Sequence, residues 1–213
     1  MEKPLIRNII WDVDGTLFDT YPAFSYSFQL ALKDLGYDVP LDWITQQARI
    51  SIDFCVKALA ERCQVDENII GVKFDKFYSS TTALDQPPFE CVIEICNFIV
   101  ESGGKNLIVT HRRAEGLMEL LDTFNLRQYF SGWTTADDAY KRKPDPEAFL
   151  VSIAKHNLNP VETLAVGDRD IDVLAGQAAG LEACLFGDPL PTCQPDLIVQ
   201  NFAQLLAWIE KSR

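Results

Sequence analysis

The chain has 213 residues, 47% of them hydrophobic, and a formal net charge of −12. That length suits one domain with an insertion or two small domains, and it allows a sizeable core without disulfides. The acidic balance repels a nucleic-acid backbone, and no apolar run reaches the ~18 residues of a membrane span.

Residues 5–16 read Leu-Ile-Arg-Asn-Ile-Ile-Trp-Asp-Val-Asp-Gly-Thr. The spacing predicts a buried strand over Ile6–Val13 that ends in two carboxylates and a glycine turn. In an extended strand, residues i and i+2 share a side, so Asp12 and Asp14 are expected together just past the strand's carboxyl end. Open α/β sheets bind ligands at that end. Two anions so close repel unless a cation sits between them, and Mg²⁺, which takes hard oxygen ligands, suits the position. The start of the chain runs straight into this strand, which predicts no leader peptide and a cytoplasmic protein.

Residues 18–85 break the pattern that follows. Helices are expected at Tyr21–Leu35, Leu41–Gln47, Ile52–Arg62 and Asn68–Ser80, with no strand among them. This block predicts an inserted all-helical cap domain, with residues 1–17 and 86–213 forming the core. Pro87-Pro88 marks the return. Polar candidates in the cap are Thr20, Tyr21, Gln46, Arg49 and Ser51. Arg49 either meets an anionic substrate tail or is a surface arginine at a helix end.

Beyond residue 86, strands and helices alternate, as in a parallel sheet covered by helices. Strands are expected at Asn106–Thr110, Gly132–Thr135, Thr163–Gly167, Glu182–Phe186 and Leu197–Val199. The helices between and after them are Cys91–Glu101, Arg113–Phe124, Pro146–Lys155, Ile171–Ala179 and Phe202–Ile209. The fold class is therefore α/β, a Rossmann-like parallel sheet with helices on both faces. No Gly-x-Gly-x-x-Gly follows the first strand, which argues against a dinucleotide binder. Cys55, Cys63, Cys91, Cys96, Cys184 and Cys193 form no CxxC pair or zinc spacing and read as buried thiols.

Three further groups fall at strand ends or helix starts. Thr110 closes the run Asn-Leu-Ile-Val. Its hydroxyl and the backbone N–H of His111 either donate to an anion or cap a helix. Lys143 lies in Lys-Arg-Lys-Pro-Asp-Pro, a loop stiffened by Pro144 and Pro146, which can fix an ammonium against a phosphate and crowded carboxylates. Asp168 follows the strand Leu-Ala-Val-Gly and can complete a hard-oxygen metal site with Asp12. Asp172, one helical turn on, either ligates through water or orients Lys143.

With these motifs in order, the chain resembles the haloacid dehalogenase superfamily. The matching residues are Asp12-Val-Asp14-Gly-Thr-Leu-Phe-Asp-Thr, Thr110, Lys143-Pro-Asp-Pro-Glu, and Gly167-Asp168 with Asp172. The helical insertion is similar to the cap of phosphoglycolate-phosphatase-like and β-phosphoglucomutase-like members. The resemblance implies a Mg²⁺-dependent phosphatase acting on a small-molecule phosphate ester, with Asp12 as nucleophile and Asp14 as general acid and base. It implies a metal held by Asp12, the Asp14 carbonyl and Asp168, and a phosphoryl group held by Thr110, His111 and Lys143. The dehalogenases lack the second aspartate, so Asp14 points to phosphate chemistry. A sugar-phosphate mutase is the alternative, and a non-catalytic binding protein a more distant one. No nucleic-acid or membrane partner is expected, and the chain is expected as a monomer or weak homodimer. One departure is His111-Arg112 after the threonine, where relatives often carry a small polar residue. These side chains either alter substrate choice or face solvent. His156 reads as a surface helix residue.

Overall fold

The computed structural model describes residues 5–211. The outermost residues, 1–4 and 212–213, belong to the expected core span and, at the start, to the leader expectation; they lie outside the described part. The chain divides into two units: one runs to Phe18 and resumes at Pro88, and the other is Asp19–Pro87. Among the described residues no helix is long and apolar enough to cross a membrane.

The first unit is built on six parallel strands: β1 (Asn8–Trp11), β2 (Asn106–Val109), β3 (Phe130–Thr134), β4 (Thr163–Gly167), β5 (Glu182–Phe186) and β6 (Leu197–Val199). Their order is β3-β2-β1-β4-β5-β6. The chain builds outward from β1 on one side through β2 and β3, then crosses to the other side through β4. The carboxyl ends of β1 and β4 thus flank a switch point, the crevice where such sheets bind ligands. Register is direct there: Ile9, Ile10 and Trp11 pair with Leu164, Ala165 and Val166.

Alternation along β1 assigns its two faces. Ile10 joins Leu107, Ala165, Phe149 and Val173 in a buried cluster beneath helices Glu147–His156 and Asp170–Ala178. Trp11 points the other way and meets Phe202 edge-on at 5.8 Å, with Phe186 stacked on Phe202 at 4.3 Å. The Trp11 indole donates to Asn106 at 3.0 Å, and Asn106 donates to the Cys96 carbonyl at 2.9 Å. The polar edge of the tryptophan is therefore satisfied inside the core. Helices cover both faces, as the α/β reading requires.

The second unit is all-helical: Tyr21–Asp34, Leu41–Ile50, Ile52–Cys63 and Glu67–Tyr78. Ser51 accepts from the Phe54 N–H and Asp66 from the Asn68 N–H, so both later helices carry side-chain N-caps. Its core is aromatic, with Phe28 stacked on Phe74 at 4.1 Å and Phe74 on Tyr78 at 5.4 Å. The second helix runs three residues past the expected end because Ala48 remains buried on its inner face. Cys55, Cys63, Cys96 and Cys184 are buried, Cys91 and Cys193 half-buried, and all six are free thiols.

Several predicted boundaries shift at the ends. The first strand is shorter than Ile6–Val13, because Val13 enters the turn that Gly15 (φ +77°) permits. His156 is half-buried rather than a surface residue. The tip of its ring lies 2.6 Å from where a Cβ on Gly132 would fall, so a side chain at that position of β3 would push the imidazole aside.

Candidate active site

All the core motifs gather at the carboxyl ends of β1, β2 and β4. The Asp12 N–H donates to the Val166 carbonyl at 2.9 Å, which carries the β1–β4 ladder one residue past β1. That anchors the Asp12 carboxylate 3% exposed. Its Oδ1 accepts from the Lys143 ammonium at 2.6 Å. Its Oδ2 is buried and has no hydrogen-bond partner among the described residues. Burial raises the Asp12 carboxyl to about 6; Lys143 opposes that rise and Asp172 adds to it.

Lys143 is the centre of the site. Its Nζ donates to Asp12 Oδ1, to Asp172 Oδ1 at 2.5 Å and to the Val109 carbonyl at 3.0 Å. All three protons are used, and no part of the ammonium faces water. Burial works against the charge, but Asp12 and Asp172 overcome it and hold the ammonium above its usual range. The Lys143–Pro144 peptide is cis.

Asp172 sits in the first turn of its helix, 2% exposed. Its Oδ2 accepts from the Arg169 N–H at 3.1 Å while Oδ1 takes Lys143. Gly167 makes this possible. A Cβ there would fall 2.2 Å from the Asp172 Cβ, so only glycine lets the helix approach the end of β4. Of the two sequence alternatives for Asp172, the structure brings it to Lys143. Asp168 accepts from the Thr16 hydroxyl at 3.3 Å. One carboxylate oxygen each from Asp12, Asp168 and Asp172 lies within 4.8 Å of the others.

Thr110 is buried, and its hydroxyl accepts from the Arg112 N–H at 3.1 Å. It does not cap the helix that follows. That helix, Ala114–Thr123, has its first N–H satisfied by Asp137 at 2.8 Å. His111 Nε2 accepts from the backbone N–H of Lys143 at 3.0 Å, which makes the ring a buttress for the lysine loop. Burial, then the cations Lys143, Arg169 and Arg142, push its pKa down to about 4, so the ring stays neutral and can accept.

The next residue is the one whose place the sequence left undecided. Arg112 reaches Asp14, with Nη2 2.5 Å and Nε 3.1 Å from Oδ1 and Nε 3.4 Å from Oδ2. Its side chain is only 11% exposed. Of the two readings offered by the sequence, facing solvent is excluded. Arg49, in the helical unit, stands 5.1 Å over the Tyr21 ring and lines a cleft of about 440 Å³ with Asp19, Ser25 and Thr45. Ser51 is a helix cap, Gln46 is exposed, and Thr20 is buried with no hydrogen-bond partner for its hydroxyl among the described residues.

The donor set suits a hard divalent cation. It is all carboxylate, without Cys or His, and Asp12 Oδ2 is a buried anionic oxygen with its lone pairs unanswered.

The profile of the family described as haloacid dehalogenase-like hydrolase matches residues 9–186. The chain belongs to that family. A phosphoglycolate phosphatase from Aliivibrio fischeri is 27% identical over 226 aligned residues, covering 98% of both chains. A hydrolase from Streptococcus pneumoniae TIGR4 superposes with a TM-score of 0.66 at 29% identity, over 88% of this chain and 95% of its own. A Bacillus subtilis protein solved with magnesium bound gives 0.77 at 19% identity, over 97% and 99%.

Proposed function

We propose that this phosphatase is Mg²⁺-dependent and cleaves a small phosphorylated metabolite, phosphoglycolate-like or sugar-phosphate-like, through a phosphoryl group carried on Asp12. The observation that carries the reading is the buried Asp12 carboxylate, held through one oxygen by Lys143 and open at the other, beside Asp168. The phosphoglycolate phosphatase relatives and the neighbour with bound magnesium support it.

The chemistry follows from what each group can do. The Asp12 carboxylate attacks phosphorus; an aspartate–phosphorus bond forms as the bond to the ester oxygen breaks. Asp14 gives a proton to the departing alkoxide. It then takes one from the water that attacks the same phosphorus, which returns Asp12 as a carboxylate and releases phosphate. The Thr110 hydroxyl and the backbone N–H of His111 hold the phosphoryl oxygens, and the Lys143 ammonium, on exchanging its Asp12 bond for one of them, offsets their charge. Positioning and charge compensation of this kind dominate phosphoryl transfer. Asp12, Asp168 and the Asp14 carbonyl would hold Mg²⁺, which when bound offsets the repulsion between carboxylate and phosphoryl group. Asp172 keeps the lysine charged and aimed.

The test is phosphate release from a panel of small phosphate esters with and without Mg²⁺, using Asp12→Asn as control. Mg²⁺-dependent release that the variant loses is expected. Equal release by the variant contradicts the role given to Asp12.

A further inference from the structure

Arg112 has no part in the steps above, yet its guanidinium meets both oxygens of Asp14. Its neighbours are otherwise engaged. The His111 ring is committed to Lys143, and Arg113 is 83% exposed beside Asp137. Arg112 is thus the cation that this tripeptide brings to the acid–base carboxylate. A guanidinium does not give up its own protons. While it contacts both Asp14 oxygens, it competes for them with a leaving-group oxygen or a water, which can still reach the 24% of the side chain that is exposed.

We propose that Arg112 determines specificity by exchanging partners: it rests on Asp14, then moves to a second anion carried by the substrate's leaving alcohol, freeing Asp14 to act. The inference rests on the assignment of Asp14 as acid and base. A planar fork of N–H donors grips a carboxylate or phosphate as well as it grips Asp14. Geometry narrows the substrate further. The ester oxygen must lie within hydrogen-bond reach of Asp14, and the second anion within reach of a guanidinium that already touches Asp14, each ~3 Å. With the guanidinium itself ~3 Å from Asp14, these reaches bring the two groups to within ~9 Å of each other. The favoured class is a phosphate monoester of a short alcohol that carries a second anionic group. A neutral alcohol leaves Arg112 on Asp14 and reacts slowly.

The experiment compares kcat/KM for 2-phosphoglycolate and for ethyl phosphate, which has the same two-carbon chain but no second anion. The wild-type ratio should be at least about a hundredfold, since a site built for a polar group rejects analogues that lack it. In Arg112→Gln the ratio should fall to within about tenfold, because one ester loses its partner and the other no longer competes with Arg112 for Asp14. Arg112→Lys, which keeps the charge without the fork, should fall between. A wild-type ratio near one, or a ratio unchanged in Arg112→Gln, overturns the proposal. If Arg112→Gln does not fold, the wild-type ratio and Arg112→Lys decide. The underlying reading fails separately: Asp14→Asn that cleaves 2-phosphoglycolate as fast as wild type removes the acid–base role whatever the ratio.

Discussion

Lys143 and Asp172 form an ion pair of 2.5 Å with both side chains withdrawn from water. The pair explains why Asp172 stands one helical turn past Asp168. It supplies a second negative charge for an ammonium that must also serve Asp12. A buried lysine with one carboxylate would yield much of its charge to that partner; with two, it keeps enough to hold an incoming phosphoryl group.

Removing the ammonium should therefore damage both fold and chemistry. Lys143→Met leaves Asp12 and Asp172 buried and facing each other, at a cost of about 3–5 kcal/mol. Urea denaturation should show that loss, and phosphate release should fall by about 10²–10³. Adding Asp172→Asn should recover part of the stability and none of the rate.

Gly167→Ala tests the close approach of helix and strand. The new methyl would meet the Asp172 Cβ at 2.2 Å, a backbone-attached group that cannot swing away. Overpacking of this kind costs about 1–3 kcal/mol. Because the atom displaced belongs to Asp172, turnover should drop as well. A variant with lost stability and full activity would show that Asp172 does not orient Lys143.

Metal binding can be read without turnover. Mg²⁺ should raise the Tm of the wild-type protein in proportion to its occupancy. Asp168→Asn, which removes a carboxylate of the cluster, should shift that response to higher Mg²⁺ or abolish it. An unchanged shift in the variant would place the ion elsewhere.

His111 gives a pH signature. Its folded-state pKa, about 4, lies below the ordinary value of 6.5. Between those values the unfolded chain binds the proton that the native ring refuses. Stability from this group is thus complete above pH 6.5 and is lost as pH falls toward 4. The ring is partly exposed, so the discounted size is about 1–2 kcal/mol. The stability difference between wild type and His111→Gln should shrink by that amount from about pH 7 to about pH 4.5, in urea titrations at both.

Local pattern made much of this legible. The apolar run before Asp12 marks β1, the Asp-x-Asp-Gly-Thr turn marks its end, and the strand–helix alternation fixes a parallel sheet. The groups that attach to single strand ends, Asp12, Thr110 and Asp168, could be named from those ends. What could not be read is how loops meet across the sheet. Arg112 and Asp14 are 98 residues apart, and their contact depends on where β1 and β2 end side by side. The role of the His111 ring is hidden for the same reason: its partner is a backbone N–H in another loop. The one available signal was the pair of bulky polar residues following Thr110, where space beside a phosphate site is scarce. Gly167 looked like part of a motif, and only the position of Asp172 reveals its steric purpose.

The most direct test of the central claim is to trap the phosphoryl group on Asp12. The enzyme is mixed with Mg²⁺ and a rapidly cleaved phosphate ester, quenched in acid, and treated with borohydride, which reduces an acyl phosphate to the alcohol. Peptide mass analysis should then find homoserine at position 12 and aspartate at positions 14, 168 and 172. Aspartate at position 12 in an enzyme turning over at full rate, or homoserine at one of the other three, would contradict the account.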